Sequence, residues 1–448
     1  MSDVGRATRR EVPRSAHAEF TPAPDRDPIE LLQRQAAQRE PTLVPLRHQR
    51  MSISPFTYFR GAALPMAWDL ARTPTTGITV QLCGDAHLSN FGMFGSPERH
   101  LYFDVNDFDE TLPGPFEWDV KRLAASLEVA ARERGFGAKQ RRKTILSGVG
   151  AYREAMAGFA PMSSLDVWYA HLDVDRLIPE FLQALDRVRT PAVWKAISTA
   201  RAHDSMQAFD RLTEIVDGEP RIVHDPPIVV PLAELAGVEH DQILASLDAM
   251  VFSYRQTLQW DRRHLLSQYR LADVAHKVVG VGSVGTRCWI VLLLDRGSGS
   301  PLFLQVKEAR ASVLEDFLPK STFRNHGHRV VAGQRLMQAT SDLFLGWQRQ
   351  SWADERRDNY VRQLRDWKGS AEVANMTAAG MTLYAKMCGW TLARAHARSG
   401  DRIAIAAYLG GADAFDRAIA AFAAAYADQN ERDHDEMVRA MAAGRLAS

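Results

Sequence analysis

The chain has 448 residues, 46% of them hydrophobic, and a formal net charge of +1 at pH 7. That length exceeds one small domain and its apolar content is ample for a large core or two lobes, while near-neutral charge gives no global basic field, so nucleic acid is not an expected partner. Cys83, Cys288 and Cys388 lie scattered in apolar surroundings without CxxC spacing, which argues against a disulfide framework and a structural zinc site and points to a reducing, cytoplasmic home.

The opening MSDVGRATRREVPRSAHAEF is charged and contains proline in place of the apolar run of a secretory signal. Residues 1–45 are therefore expected to form a flexible arm with one short amphipathic helix at 28–40. An aromatic, apolar helical region at 55–72 reaches a strand over 78–82, and a second strand over 100–105 delivers Asp107 and Asp109 to the same end. Apolar spacing predicts helices over 118–131 and 139–158. Helices dominate to about Leu258, except in the turn-rich stretch 217–231, where DGEP and DPP stop any periodicity. Residues 277–308 turn β-branched and apolar with glycine punctuation and read as three antiparallel strands. After a mixed segment to Trp347 come a strand at 360–364 and a helical tail from Met376. The Ala-rich part of that tail, 404–427, carries Asp413, Asp416 and Arg417 and so reads as an amphipathic helix pair, not a membrane span.

Chemistry concentrates in GDAHLSNFG at 84–92 and FDVNDFDE at 103–110. Asp85 is placed to take a hydroxyl proton, Asn90 and Asp107 offer hard oxygen ligands to Mg²⁺ bridging nucleotide phosphates, and Asp109 is a further metal or outer ligand. Gly-Asp turns and acidic loops also occur without catalytic meaning; the two strands bracketing this polar loop set it apart. Gly280, Gly282 and Gly285 form a GxGxxG, but CWIVLLL follows, which is strand material and not the helix a dinucleotide fingerprint requires. Strand, glycine loop, strand is how kinases cover ATP phosphates with backbone N–H groups, and Lys307 in the next strand is placed to pair with the α- and β-phosphates. Glu315 is the first candidate to hold that lysine and Glu308 the second, since the later helix at 329–339 offers only Gln334. The 360–364 strand, with Arg365 and Asp366, is expected to be a hinge contacting adenine. Arg60 is expected to pair with a buried carboxylate, and Asp433, His434 and Asp435 to form a polar helix face.

On SPFTYFRGAA, GDAHLSNFG, NDFDETLPGPFEWDVKRLA, FLQVKEA, GQRLMQATSDLFLGW, YVRQLRDWKGS, LARAHARSGD and YADQNERDH, the chain from about residue 45 to 435 is identified as a member of the uncharacterised bacterial domain of unknown function 2252 family. Its short motifs also resemble aminoglycoside and choline kinase-like phosphotransferases, in which HGDxHxxN precedes a DFD or DFG motif and a bracing Asp on a helix. The resemblance implies Asp85 as the catalytic Asp, His87 as the second His, Asn90 and Asp107 as metal ligands and Asp119 as the brace; Cys83 stands where the first His would be. Motif order is reversed relative to kinases, which implies a circular permutation. The helix at 381–398 resembles the one that leads into the catalytic loop, so its end should dock near the strand at 78–83.

The implied fold is α+β, a two-lobed, circularly permuted protein kinase-like fold with a helix-rich large lobe and a small antiparallel β lobe. Residues 46–265 would hold the catalytic loop, metal site and a helical insert, 266–370 the β-rich nucleotide-binding lobe, and 371–448 the helices completing the large lobe. The implied function is ATP- and Mg²⁺-dependent phosphoryl transfer to a hydroxyl acceptor, a small molecule or a protein, in a pocket built from the insert at about 130–270 and the tail after 400. Rival readings are a metal-dependent phosphoesterase using Asp85, His87, Asn90 and Asp107, a non-catalytic nucleotide-binding pseudokinase, and an AMP transferase. Oligomeric state has no signal in the chain.

Overall fold

Capping chemistry sets where the first helices begin. α1 spans Ser2–Glu11; α2, Pro28–Ala36, opens at Asp27, whose carboxylate accepts from Ile29 N and Glu30 N while Pro28 takes the first helical position. α3 is Val44–Met51, and α4, Pro55–Gly61, opens with a Ser54 and Thr57 capping box ahead of α5, Ala63–Leu70. The structure is a computed structural model that describes residues 2–176, 198–199, 201–202, 205–236, 247, 250–278, 280, 284–352, 355–364, 367, 369–370 and 372–447. The fold is α+β with antiparallel sheets.

β1 (Thr79–Leu82) pairs antiparallel with β4 (Leu112–Pro115), and between them in sequence β2 (Phe91–Gly95) and β3 (Leu101–Val105) pair with each other. β3 also pairs β5 (Leu172–Asp173). The consequence for chemistry is local: the loop after β1 and the acidic loop after β3 open at the same place. α6 (Phe116–Glu133) follows β4 and is buried almost throughout, from Phe116 to Ala131. α7 (Ala138–Phe159) packs beside it.

A hairpin of β6 (Thr213–Val216) and β7 (Glu219–Ile222) precedes the main sheet. There β8 (Val229–Pro231), β9 (Tyr269–Lys277), β10 (Cys288–Asp295), β11 (Pro301–Ala309), β12 (Gly346–Trp352) and β13 (Glu355–Gln363) align antiparallel in the order β12-β13-β11-β10-β9-β8. The unbroken apolar run of β10 is explained by burial on both faces: Ile290, Leu292 and Leu294 join one apolar cluster, Val291 and Leu293 others. β14 (Gly369–Ser370) returns to pair with β2.

Of the later helices, α8 is Ser164–Tyr169, α9 Ser205–Leu212, α10 Leu232–Ala236, α11 Trp260–Ser267, α12 His326–Met337, α13 Ala378–Ser399, α14 Arg402–Leu409 and α15 Ala414–Ala442. α13 and α7 cross with glycine at the contact; a Cβ on Gly389 would lie 2.0 Å from Gly148 O, so no larger residue permits this approach. The end of α13 then meets β1: Ser399 Oγ accepts from Gln81 N at 3.2 Å, and a Cβ on Gly400 would sit 2.6 Å from Val80 Cγ1. The predicted docking of this helix against the 78–83 strand is thus observed. No helix among the described residues is long and apolar enough to cross a membrane.

Several expectations are corrected. The N-terminal segment, expected as an arm, packs against α14: a Cβ on buried Gly5 would clash with Ala404 O, and Arg9 Nε and Arg14 Nη1 donate to Tyr408 O at 2.7 Å and Leu409 O at 2.5 Å. These arginines satisfy carbonyls that the C-terminal turn of α14 leaves open. The stretch at 217–231 contains strands β7 and β8, because its turn residues join strands instead of merely stopping helices. The first of the three antiparallel strands lies before residue 277, at Tyr269–Lys277. Tyr360 and Val361 are laddered to both β11 and β12, so their backbone groups are not a hinge; Arg365 and Asp366 lie outside the described residues. Asp433 is buried against Arg26, which also clamps Asp69, and is no solvent-facing residue.

Candidate functional site

The loop after β1 is shaped by two residues one turn apart on α6. Asp119 Oδ2 accepts from Cys83 N at 2.8 Å and its Oδ1 from Gly84 N at 3.0 Å, while Arg122 Nε donates to Asp85 Oδ1 at 2.7 Å. Helix periodicity puts positions i and i+3 on one face, so a single helix both braces the loop backbone and orients its carboxylate. Gly84 has a φ of 83°, and a Cβ there would lie 2.3 Å from Glu110 O, so this turn needs glycine. Asp119 is completed by His396 Nε2 at 3.3 Å, and Tyr152 OH holds His396 Nδ1 at 2.9 Å. His396 comes from α13. A histidine therefore does stand against the loop, although Cys83 occupies the motif position.

Within the loop, Asn90 Nδ2 donates to Asp85 O at 2.9 Å. His87 Nε2 lies 3.8 Å from Asp85 Oδ2. Burial, with the charges of Arg60 and Arg122, pushes the His87 pKa well below its usual range, so the ring is neutral at pH 7. Burial pushes the Asp85 pKa up, with Arg122 opposing.

In the acidic loop the two aspartates separate. Asp109 accepts from Lys307 Nζ at 2.7 Å and from Tyr360 OH at 2.6 Å, so both of its oxygens are engaged. Burial works against its charge, but Lys307 and Tyr360 hold its pKa below the usual carboxylate range. Asp107 is the reverse case: burial and the charge of Asp109 raise its pKa, and its only hydrogen bond among the described residues comes from Asp109 N at 3.2 Å. Arg329 fixes the loop backbone by donating to Asp109 O at 2.7 Å and Thr111 O at 2.6 Å, and Arg362 Nη1 donates to Asn106 O at 3.0 Å.

One cleft of about 160 Å³ is lined by Arg60, Asp85, His87, Asn90, Asp107 and Asp109, together with Gln35, Gln38 and Arg39 from the N-terminal segment. Gly280 also lines it; Gly285 is turned against Arg39, whose Cβ lies 2.9 Å from where a Gly285 Cβ would be, and Gly282 lies outside the described residues. Glu315 does not hold Lys307. It sits in a 3₁₀ turn at Val313–Asp316, its Oε1 buried without a partner among the described residues, while Glu308 is taken by Arg310. The lysine's counter-ion is Asp109, which removes Asp109 from the set of open metal ligands. Arg60 also departs from expectation: among the described residues no carboxylate forms an ion pair with it, and its Nε is buried without a partner at the cleft wall.

Among the described residues no three His, Cys, Asp or Glu side chains converge as a metal cage. Asn90 and Asp107 both line the cleft and carry oxygens of the hard type that Mg²⁺ takes together with substrate phosphates. Arg122 and His396 escape motif reading because their partners lie 37 and 277 residues away. The helical spacing from Asp119 to Arg122 was the available signal for the first.

The family model described as "Uncharacterized protein conserved in bacteria (DUF2252)" matches residues 39–440, and the chain belongs to that family. Neither the curated proteins nor the solved structures give a match.

Proposed function

We propose that this member of the family is an ATP- and Mg²⁺-dependent phosphotransferase of protein kinase-like type, with its two lobes encoded in permuted order and an acceptor hydroxyl as substrate. The observation that carries this reading is the meeting of Lys307 with the acidic loop, 2.7 Å from Asp109, which lines the cleft together with Asp85, Asn90 and Asp107. The docking of α13 against β1 supports the permuted order, since that helix reaches the loop through space and not through sequence.

In this reading Lys307 exchanges its Asp109 contact for nucleotide phosphate oxygens, and Asn90 and Asp107 would hold Mg²⁺, which neutralises phosphate charge when bound. Asp85 accepts the acceptor's proton through Oδ2, the oxygen that Arg122 leaves open; burial raises its pKa, which makes it a stronger base than an exposed carboxylate. Arg60, whose Nε has no partner among the described residues, faces the charge that develops on the transferred group. The buried, unpaired cysteines are compatible with a reducing cytoplasm.

A second reading, nucleotide binding without transfer, is favoured by one contact: Arg122 holds Asp85 Oδ1 and lowers its basicity. The test is fluorescent ATP titration with and without Mg²⁺, followed by incubation with ATP, Mg²⁺ and cell extract and mass spectrometry of the products. Mg²⁺-dependent binding with a product heavier by phosphate supports transfer, and one heavier by AMP redirects it to adenylyl chemistry. Binding alone selects the second reading, and no binding overturns both.

A further inference from the structure

The main sheet has two working faces. Lys307 and Tyr360 turn toward the acidic loop, whereas their neighbours Val306 and Val361 turn the other way, as the alternation of a strand requires. On that opposite face lies a second cavity of about 320 Å³. Trp289, Val291 and Leu293 of β10 form its floor, and Met250, Val251 and Tyr254 close over it. Its volume falls within the range of small-molecule sites, and most of its lining is apolar.

One end is different. Gln348 and Gln350 of β12 line it, with Arg357 of β13 opposite Gln350, and Arg287 also borders the cavity. Gln348 is only 4% exposed, and its Oε1 is buried without a partner among the described residues. Asn359, directly opposite Gln348 in the β12/β13 register and 3% exposed, leaves its Nδ2 in the same condition. A buried acceptor on the cavity wall and a buried donor at the paired position of the ladder thus both stand open among the described residues, where native structures almost always supply partners.

We propose that this cavity binds an amphipathic small molecule with an extended apolar body and a hydroxyl head. The apolar body lies over Trp289, Val291 and Val306, and the hydroxyl both donates to and accepts from the carboxamides at the Gln348 end. A hydroxyl answers both open groups at once, which neither a hydrocarbon nor an ether does. The site is independent of phosphotransfer, because it uses the face of the sheet away from Lys307.

The test uses the full chain and 1-octanol, with its methyl ether as a ligand that accepts but cannot donate, followed by ligand-observed NMR. Saturable binding of one octanol per chain is expected, with the ether at least tenfold weaker. Val291→Phe should fill the cavity and reduce octanol affinity at least tenfold. Should that variant fail to fold, Gln348→Leu serves, with octanol weakened to the level of the ether. Absence of saturable octanol binding, equal binding of octanol and ether, or undiminished binding by a folded Val291→Phe or Gln348→Leu protein would overturn the proposal.

Discussion

Lys307 Nζ stands 2.7 Å from Asp109 Oδ2, tying β11 to the acidic loop across 198 residues of chain. Lys307 is buried while Asp109 keeps 30% side-chain exposure, so water screens part of the pair. Lys307→Met is expected to destabilise the protein by up to about 3 kcal/mol, the lower end for breaking a buried ion pair, and to weaken ATP binding at least tenfold. Urea unfolding and nucleotide titration check this. Combining it with Asp109→Asn should cost less than the sum of the single changes, because the second removes the charge the first leaves stranded. Additive losses would mean that the contact carries no coupling.

Asp107 is expected to behave in the opposite way. Burial and Asp109 raise its pKa, so between the unfolded value of 3.8 and the native value the folded state binds the extra proton. Stability contributed by this group therefore falls as pH rises through that window. Asp107→Asn should hold stability level or raise it by about 1 kcal/mol at pH 7, flatten that part of the pH profile, and abolish the Mg²⁺ dependence of nucleotide binding. A variant that loses stability and keeps its Mg²⁺ response would remove Asp107 from the ligand set.

What could be read in the chain was local. The loop at 84–92 and the acidic run at 103–110 announce themselves because strand, turn and carboxylate sit within a few residues, and Asp119 follows on a periodic helix. Lys307 was legible from the strands around it, but not its counter-ion: DFDE offers three acids, and only the register of β11 against β13, which sets Tyr360 beside Lys307, selects Asp109. Glu315 had the expected residue type and the wrong place. The N-terminal arm misled because its arginines look solvated in sequence, whereas they cap a helix some 400 residues away. Arg39 in the cleft lining gave no signal at all, since nothing local marks a residue that packs on a distant glycine turn.

Asp119 should prove structural in a specific way. Its carboxylate receives two backbone N–H groups of the loop and His396, and charge-assisted bonds of this kind contribute about 1.5–3 kcal/mol. Asp119→Ala is expected to cost about 3 kcal/mol or more and to speed hydrogen exchange at Cys83 and Gly84 before other β1 amides. His396→Ala should show the same exchange pattern more weakly. Unchanged protection of those two amides in Asp119→Ala would contradict the bracing role.

His17 gives the N-terminal segment a pH signature. It is fully buried, its Nε2 is 2.8 Å from Tyr408 OH, and burial pushes its pKa down to about 3 from 6.5. Between those values the unfolded chain binds a proton that the native ring refuses, so stability is lost as pH drops through 6.5 toward 3, at up to about 1.4 kcal/mol per pH unit. Urea midpoints at pH 7 and pH 4.5 should diverge in the wild type and draw closer in His17→Phe. Equal acid sensitivity in both proteins would assign the effect to other groups.

Access to the cleft should be controlled by residues 39–50. Arg39 Nη1 donates to Val284 O at 2.6 Å, Glu40 N to Gly285 O at 2.8 Å, and Arg50 Nη1 to Gly280 O at 2.6 Å, while Arg287 pairs with Glu40 at 2.8 Å. Each contact holds the glycine turn against the N-terminal segment, whose Gln35 and Gln38 also line the cleft. Removing one anchor should loosen the turn without touching Asp85, Asn90 or Asp107. Arg39→Ala is expected to raise the nucleotide association rate several-fold in stopped-flow mixing and to speed hydrogen exchange from Val284 to Cys288, at a stability cost of about 1–2 kcal/mol. If association and exchange are both unchanged, the glycine turn opens without release of Arg39, and the segment is a fixed wall of the cleft.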